Sequence, residues 1–220
     1  MSFPLAADPP VSPTIPIVPA FDEIPPVSPT IPSEPVSAEQ LAFIASVPKG
    51  RFFLDLCSGK TKPLSTAVQH LQLSCLRFNH DLLLNPVHEC LLRVCASGQV
   101  SYTGAAPESG EFSLLELHEP GPKPIRTSEF PHGLPNLDAT QLQRLAKSRA
   151  LLERSVQCLL ATYTAGGHGH LEQPKGALSW HNNLVLNWVT TCAPFLILVA
   201  ACRYGLDSAE SWLFASSYQP

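Results

Sequence analysis

This chain of 220 residues has little charge, no long apolar run and no proline-rich composition outside its first segment. The longest continuous apolar stretch, Ala193 to Cys202, is about half of what a bilayer crossing needs, so it reads as a buried strand and no membrane partner is expected. Charged residues make up 15% of the chain. Five of the 18 acids (Asp8, Asp22, Glu23, Glu34 and Glu39) precede residue 40, and the remainder carries 14 basic and 13 acidic side chains. That balance excludes the strong electrostatic footprint of a polyanion-binding domain and allows at most a weak contact with DNA or another nucleic acid. Six basic residues between positions 123 and 154 (Lys123, Arg126, Arg144, Lys147, Arg149 and Arg154) read as a solvated helix face.

No secretory leader is expected for the chain. Its seven cysteines lie mostly inside apolar runs, as small buried hydrophobes do in a reducing compartment, so an intracellular protein is expected, with nucleus and cytoplasm undistinguished. His88, Cys90, Cys95, His168 and His170 do not follow a zinc-ligand spacing, and no metal is expected. A phosphate loop is excluded as well. Gly59-Lys60-Thr61 has Leu54 where the motif needs its first glycine.

Proline is abundant in one place only. Eleven of the 23 prolines fall within residues 1 to 35, where Pro9 to Pro16 (PPVSPTIP) recurs as Pro25 to Pro32. Such a segment cannot donate enough backbone hydrogen bonds to join a sheet, so residues 1–36 are expected to be a disordered proline-rich tail. Its functional alternative is a ligand for a partner with an aromatic proline-binding groove. Residues 37–220, in a chain that is 45% hydrophobic overall, suffice for a single domain with one core.

That domain alternates strand and helix. Ser37 to Gln40 has the form of a capping box, with Val36 and Leu41 as its staple. Strands are expected at Phe52–Leu54, Ser74–Phe78, Val100–Ala106, His170–Glu172 and Phe195–Cys202. Between them, one helix starts at Pro63 with Leu64, Ala67, Val68 and Leu71 on its apolar face. A second is capped by Asn85 and stopped by Gly98, and a long one follows Asp138 with Leu142, Leu145, Leu152, Val156, Leu159 and Tyr163 at helical spacing. The predicted fold is α/β: a Rossmann-like, doubly wound, mostly parallel sheet with ligands at the carboxyl ends of its strands. Trp180, Trp188 and Trp212 are expected to pack, not to stack on bases.

Arg51 to Ser65 (RFFLDLCSGKTKPLS) is the most informative stretch. A strand delivers Asp55 and Cys57 to the sheet edge, Ser58-Gly59 permits a tight turn, and Pro63 suits the first turn of a helix. Later strands end in Ala105-Ala106-Pro107-Glu108-Ser109-Gly110-Glu111-Phe112-Ser113 and in Leu171-Glu172-Gln173-Pro174. In order and spacing, these stretches resemble the cytosine-C5 DNA methyltransferases over roughly residues 51 to 217, including the aromatic segment from Cys202-Arg203-Tyr204-Gly205 to Trp212-Leu213-Phe214. In that family a small-residue turn holds the cofactor, a Pro-Pro-Cys loop with Phe-Ser three residues on carries the nucleophile, and Glu-Asn-Val lies on the next strand.

The resemblance implies S-adenosylmethionine as cofactor. Asp55, Cys57, Ser58 and Gly59 would lie around its methionine part, Asp81 at the ribose hydroxyls and Pro107 at the catalytic loop. Ser109 falls at the nucleophile's position and Glu172 at the carboxylate's. Cytosine methylation at C5 needs a thiolate on C6 and an acid at N3, with the base out of its stack. A serine hydroxyl ionises far less readily than a thiol. Glu108 replaces the second proline and Gln-Pro replaces Asn-Val, and a target-recognition domain is expected to be missing. The expectation is a degenerate, C-terminally truncated methyltransferase-like protein that keeps a cofactor pocket and has lost efficient DNA methylation. Two other readings stay open: a non-catalytic interaction module using the proline-rich repeat, and a methyltransferase for another substrate.

Overall fold

The computed structural model describes residues 38, 42, 45, 47, 50–57, 59, 63–112, 123–193, 195–200 and 211–218. The repeated segment 1–36, Ser37, Gln40 and Leu41 of the expected capping box, and Ser58, Ser113 and Cys202–Gly205 lie outside them. Six strands form one sheet: β1 (Phe52–Leu56), β2 (Cys75–Phe78), β3 (Val100–Ala105), β4 (His168–Pro174), β5 (Phe195–Ala200) and β6 (Ser211–Ser216). Four α-helices are described: α1 (Pro63–His70), α2 (Asn85–Ala96), α3 (Ala139–Thr164) and α4 (Asn183–Thr191). The strand order is β2-β1-β3-β4-β6-β5. β1 is parallel to β2 and β3, and β3 to β4, whereas β6 runs antiparallel to both β4 and β5. The molecule is thus an α/β protein on a mixed sheet. The reversed strand β6 breaks the parallel run expected from strand-helix alternation.

Alternation along the strands puts helices on both faces. A Cβ on Gly104 of β3 would meet Leu64 of α1 and Phe53, while one on Gly169 of β4 would meet Leu159 of α3 on the other side. α3 is the central support. Asp138 starts it with a reciprocal capping box, its carboxylate accepting from the Gln141 amide at 2.8 Å and its own amide donating to Gln141 Oε1 at 3.0 Å. Leu151, Leu152, Val156 and Leu159 are buried, and Thr162 exchanges a 2.8 Å hydroxyl bond with Thr103 of β3. Trp188 of α4 is fully buried and Trp180 donates to the Pro174 carbonyl at 2.8 Å, so both tryptophans pack. Cys57, Cys90, Cys95, Cys158 and Cys192 are buried as free thiols. No helix among the described residues is long and apolar enough to cross a membrane.

Three local expectations are corrected. Asn85 is the first residue of α2, not its cap: Leu84 occupies the cap with no side-chain bond, and Pro86 fills the first turn. Leu71 lies beyond the end of α1 and is 70% exposed, so the buried face of that helix is Ser65 and Val68. In α3, Leu142 and Tyr163 are exposed and do not belong to its buried face.

Candidate functional site

β1, β3 and β4 bring their carboxyl ends to one rim, and specific bonds stitch them together. The Ala106 amide donates to the Leu56 carbonyl at 2.9 Å, which fixes the start of the β3 loop beside β1. Across the other side, Gln173 Nε2 donates to the Pro107 carbonyl at 2.6 Å while Ser179 Oγ donates to Gln173 Oε1 at 2.9 Å. Gln173 is 1% exposed, so this amide is held from both ends inside the protein and sets where the β3 loop leaves the sheet.

Asp55, on β1, is fully buried. Cys57 follows at φ +63°, a left-handed conformation uncommon for a residue with a side chain, and its Sγ lies 4.0 Å from Ser155 Oγ and from the Asn79 carbonyl. Burial pushes the Cys57 thiol up to about 12; the Ser155 contact opposes this, and the charges of Glu108 and Asp55 add to it. Glu172 is also raised, first by burial and then by Asp55. Asp55 thus acts electrostatically on both Cys57 and Glu172, and Glu108 on Cys57. Gly59 is exposed at φ +77°, with open space where a Cβ would stand, and its carbonyl accepts from the Arg77 guanidinium.

The loop after β3 is clamped. Pro107 is buried and Ser109 half-buried; the Ser109 carbonyl accepts from the Phe112 amide at 2.8 Å, closing the 3-10 turn Gly110–Phe112. Arg144 of α3 grips Glu111 with two bonds of 2.7 and 2.8 Å. Arg126 is buried, donates to the Glu111 carbonyl at 3.0 Å and to Ser148 Oγ at 3.1 Å, and lies 3.9 Å from the centre of the Phe112 ring. Arg154 donates to the Leu82 and Leu83 carbonyls at 3.1 and 2.7 Å. This overturns the expectation of a solvated basic face: three of its six members hold the loops around the rim. Their partners are distant in sequence, so charge periodicity on α3 carried no sign of them.

The expected site residues therefore separate into two groups. Asp55, Cys57, Gly59, Pro107, Ser109 and Glu172 lie at the ends of three adjacent strands. Asp81 stands apart, exposed in the 3-10 turn after β2, where it lines a groove of about 410 Å³ with Arg77 and with Thr66 and Gln69 of α1. Ser58 lies outside the described residues. Gln173, Arg126 and Arg144 were not expected; for Gln173 the one available signal was the alternation of β4, which puts Gly169, Leu171 and Gln173 together on its buried face.

At this rim the Cys57 thiol is neutral, the hydroxyl of Ser109 has no base hydrogen-bonded to it among the described residues, and burial raises the pKa of Glu172. A thiol held protonated and a hydroxyl without a paired base do not suit nucleophilic attack. Comparison of the chain with models of protein families, with curated proteins and with solved structures finds no match.

Proposed function

We propose that this chain is a diverged, methyltransferase-like protein of Rossmann-like, doubly wound architecture that binds S-adenosylmethionine at the rim of β1, β3 and β4 and no longer methylates DNA cytosine. The observation that carries it is the convergence of the Asp55–Gly59 turn, the Pro107–Ser109 loop and Glu172 at adjacent strand ends. β2 and β3 flank β1 on opposite sides, so the connections leaving β1 and β3 diverge, and open α/β sheets bind ligands in the crevice at such a switch point. The donor set fits. The sulfonium is a cation, Asp55 and Glu108 supply negative charge, and the open side of Gly59 gives a chain atom room to approach.

In this reading Asp55, Cys57 and Gly59 surround the methionine part, and the ribose would have to extend past the end of β2 to meet Asp81. Bound S-adenosylmethionine supplies an electrophilic methyl group. Glu172, whose pKa is raised, would donate a proton to a ring nitrogen of a substrate base. The missing function is the nucleophile: Ser109 stands in its place, and Cys57 cannot substitute because its thiol stays protonated.

Ser109→Cys tests this account of loss. With S-adenosylmethionine present, the variant is expected to form a covalent, denaturation-resistant complex with DNA carrying a mechanism-based cytosine analogue, and the wild type is not. Methyl transfer to duplex DNA by the wild type would contradict the loss of turnover. Absence of a complex with a Ser109→Cys variant that binds the cofactor would assign the site to another substrate.

A further inference from the structure

Cys57 breaks the side-to-side alternation of β1. Leu54 pairs with Thr103, which bonds Thr162 of α3, so Leu54 and Leu56 point to the α3 side of the sheet. Asp55 pairs with Gly104, where a Cβ would meet Leu64 of α1, so Asp55 points to the opposite side and alternation would send Cys57 after it. The Cys57 thiol instead lies 4.0 Å from Ser155 Oγ, a fully buried group of α3. Its left-handed φ of +63° turns the side chain back to that helix. The protons fix the direction of the contact. Ser155 spends its one hydroxyl proton on the Leu151 carbonyl at 2.8 Å, so its oxygen accepts from the Cys57 thiol, and the Asn79 carbonyl at 4.0 Å is a second acceptor. The backbone here is tied into the sheet as well: the Cys57 amide donates to the Phe78 carbonyl at 2.7 Å, and the Leu56 carbonyl before it accepts from the Ala106 amide at 2.9 Å.

We propose that Cys57 is a positioning residue of the rim whose side chain does not touch the ligand: anchored behind the sheet to Ser155 of α3, it holds the left-handed turn by which the chain leaves β1 for Gly59. The inference rests on the reading of the rim as a methyl-donor site and narrows it, because Cys57 then borders the cofactor with its backbone alone. The thiol is buried, and the groups around it are the Ser155 hydroxyl and the Asn79 carbonyl, both of the protein itself. Gly59, exposed at φ +77° with open space beside it, stands two residues beyond the anchor, so a shift of the Cys57 backbone is carried to the place where a ligand would approach. Ser155 thereby acts on the rim through Cys57 without facing it. The same helix that forms the support of the sheet also sets the exit angle of its first strand.

The test uses the full chain, titrated calorimetrically with S-adenosylmethionine at a temperature where every variant is folded, with hydrogen exchange followed at the amides of residue 57 and Ala106. Cys57→Ala removes the donor of the anchor and Ser155→Ala its acceptor. Each is expected to weaken binding about three- to tenfold, and the double variant to bind no more weakly than the weaker single one, since both changes remove the same anchor. Exchange at the two amides is expected to quicken about tenfold in either variant. Where Cys57→Ala lowers stability too far, Cys57→Gly keeps the left-handed backbone at no steric cost and removes the anchor alone. Weakened binding by the Cys57 variants with unchanged binding by Ser155→Ala, or losses that add in the double variant, would show a direct contact with the ligand and overturn the proposal. Unchanged exchange at both amides would overturn it too. If the wild type binds no S-adenosylmethionine, the methyl-donor reading fails separately, and the exchange rates then decide the anchor: faster exchange in both variants supports it, and wild-type exchange overturns it.

Discussion

Lowering the pH from 7 to 4 is expected to cost the fold roughly 3 kcal/mol through His88 alone and up to a similar amount through His170. Both are held neutral in the folded protein, each with its pKa lowered to about 4. For His88 the cause is burial and then the positive charge of Arg154, with a Gln157 hydrogen bond opposing; for His170 it is burial, beside Tyr102 Oη at 3.1 Å. In the unfolded chain both titrate near 6.5, so the unfolded state binds protons first as pH falls. Stability is complete above about 6.5, declines through the interval down to 4, and is then fully lost from these two groups. Glu172 acts in the opposite sense, because its raised pKa favours the protonated carboxyl in the fold and offsets part of the loss at low pH. Urea unfolding at pH 7, 5.5 and 4 measures the slope. His88→Gln is expected to flatten it by about half, and stability independent of pH over this range would contradict the burial of both imidazoles.

Gln173→Leu is expected to destabilise the protein by roughly 3 kcal/mol, a fall in Tm of about 6–12 °C for a domain of this size. The leucine fills similar volume, so the loss comes from two polar groups: the Pro107 carbonyl, which loses its 2.6 Å donor, and Ser179 Oγ, which loses its 2.9 Å acceptor. Neither is replaced in a pocket that excludes solvent, and an unmet buried polar group costs more than its bond contributed. The same change frees the β3 loop at Pro107, so ligand affinity at the rim should fall further than the loss of fold alone explains at temperatures where the variant remains folded. Calorimetric melting together with cofactor titration separates the two effects. A variant with unchanged Tm would show that Gln173 does not hold the loop.

Much of this architecture is written locally. Phe52–Leu56 is a continuous apolar strand interrupted only by Asp55, and Asp138 with Gln141 announces α3 three residues apart, so short-range chemistry suffices for both. α4 is less legible: Asn183–Thr191 is nine residues rich in leucine, valine and threonine, a composition equally suited to a strand. Its signal is Asn182, whose side-chain oxygen accepts from the Leu184 amide at 2.9 Å and the Val185 amide at 3.4 Å. The direction of β6 could not be read from residues 211–216, since strand polarity in a sheet is decided by partners elsewhere. The site shows the same division. Asp55, Pro107 and Glu172 were visible because strand ends carry their own sequence signature, whereas Gln173, Arg126 and Arg144 act across 66, 15 and 33 residues of chain.

The chemistry of the rim follows from burial more than from residue identity. Cys57 is a thiol at the end of the first strand, yet desolvation and two carboxylates keep it protonated. Glu172 is an ordinary carboxyl whose pKa the same surroundings raise, by burial first and then by the charge of Asp55. Such a place disfavours a reaction that starts from a thiolate.

The most direct measurement is thermal unfolding of the full chain against increasing S-adenosylmethionine, with Asp55→Asn as the comparison. At a hundred times its dissociation constant the cofactor is expected to stabilise the wild type by about 2.7 kcal/mol, with a much smaller gain in the variant. A melting temperature that does not move up to millimolar cofactor, or one that moves equally in both proteins, would contradict a methyl-donor site at the ends of β1, β3 and β4.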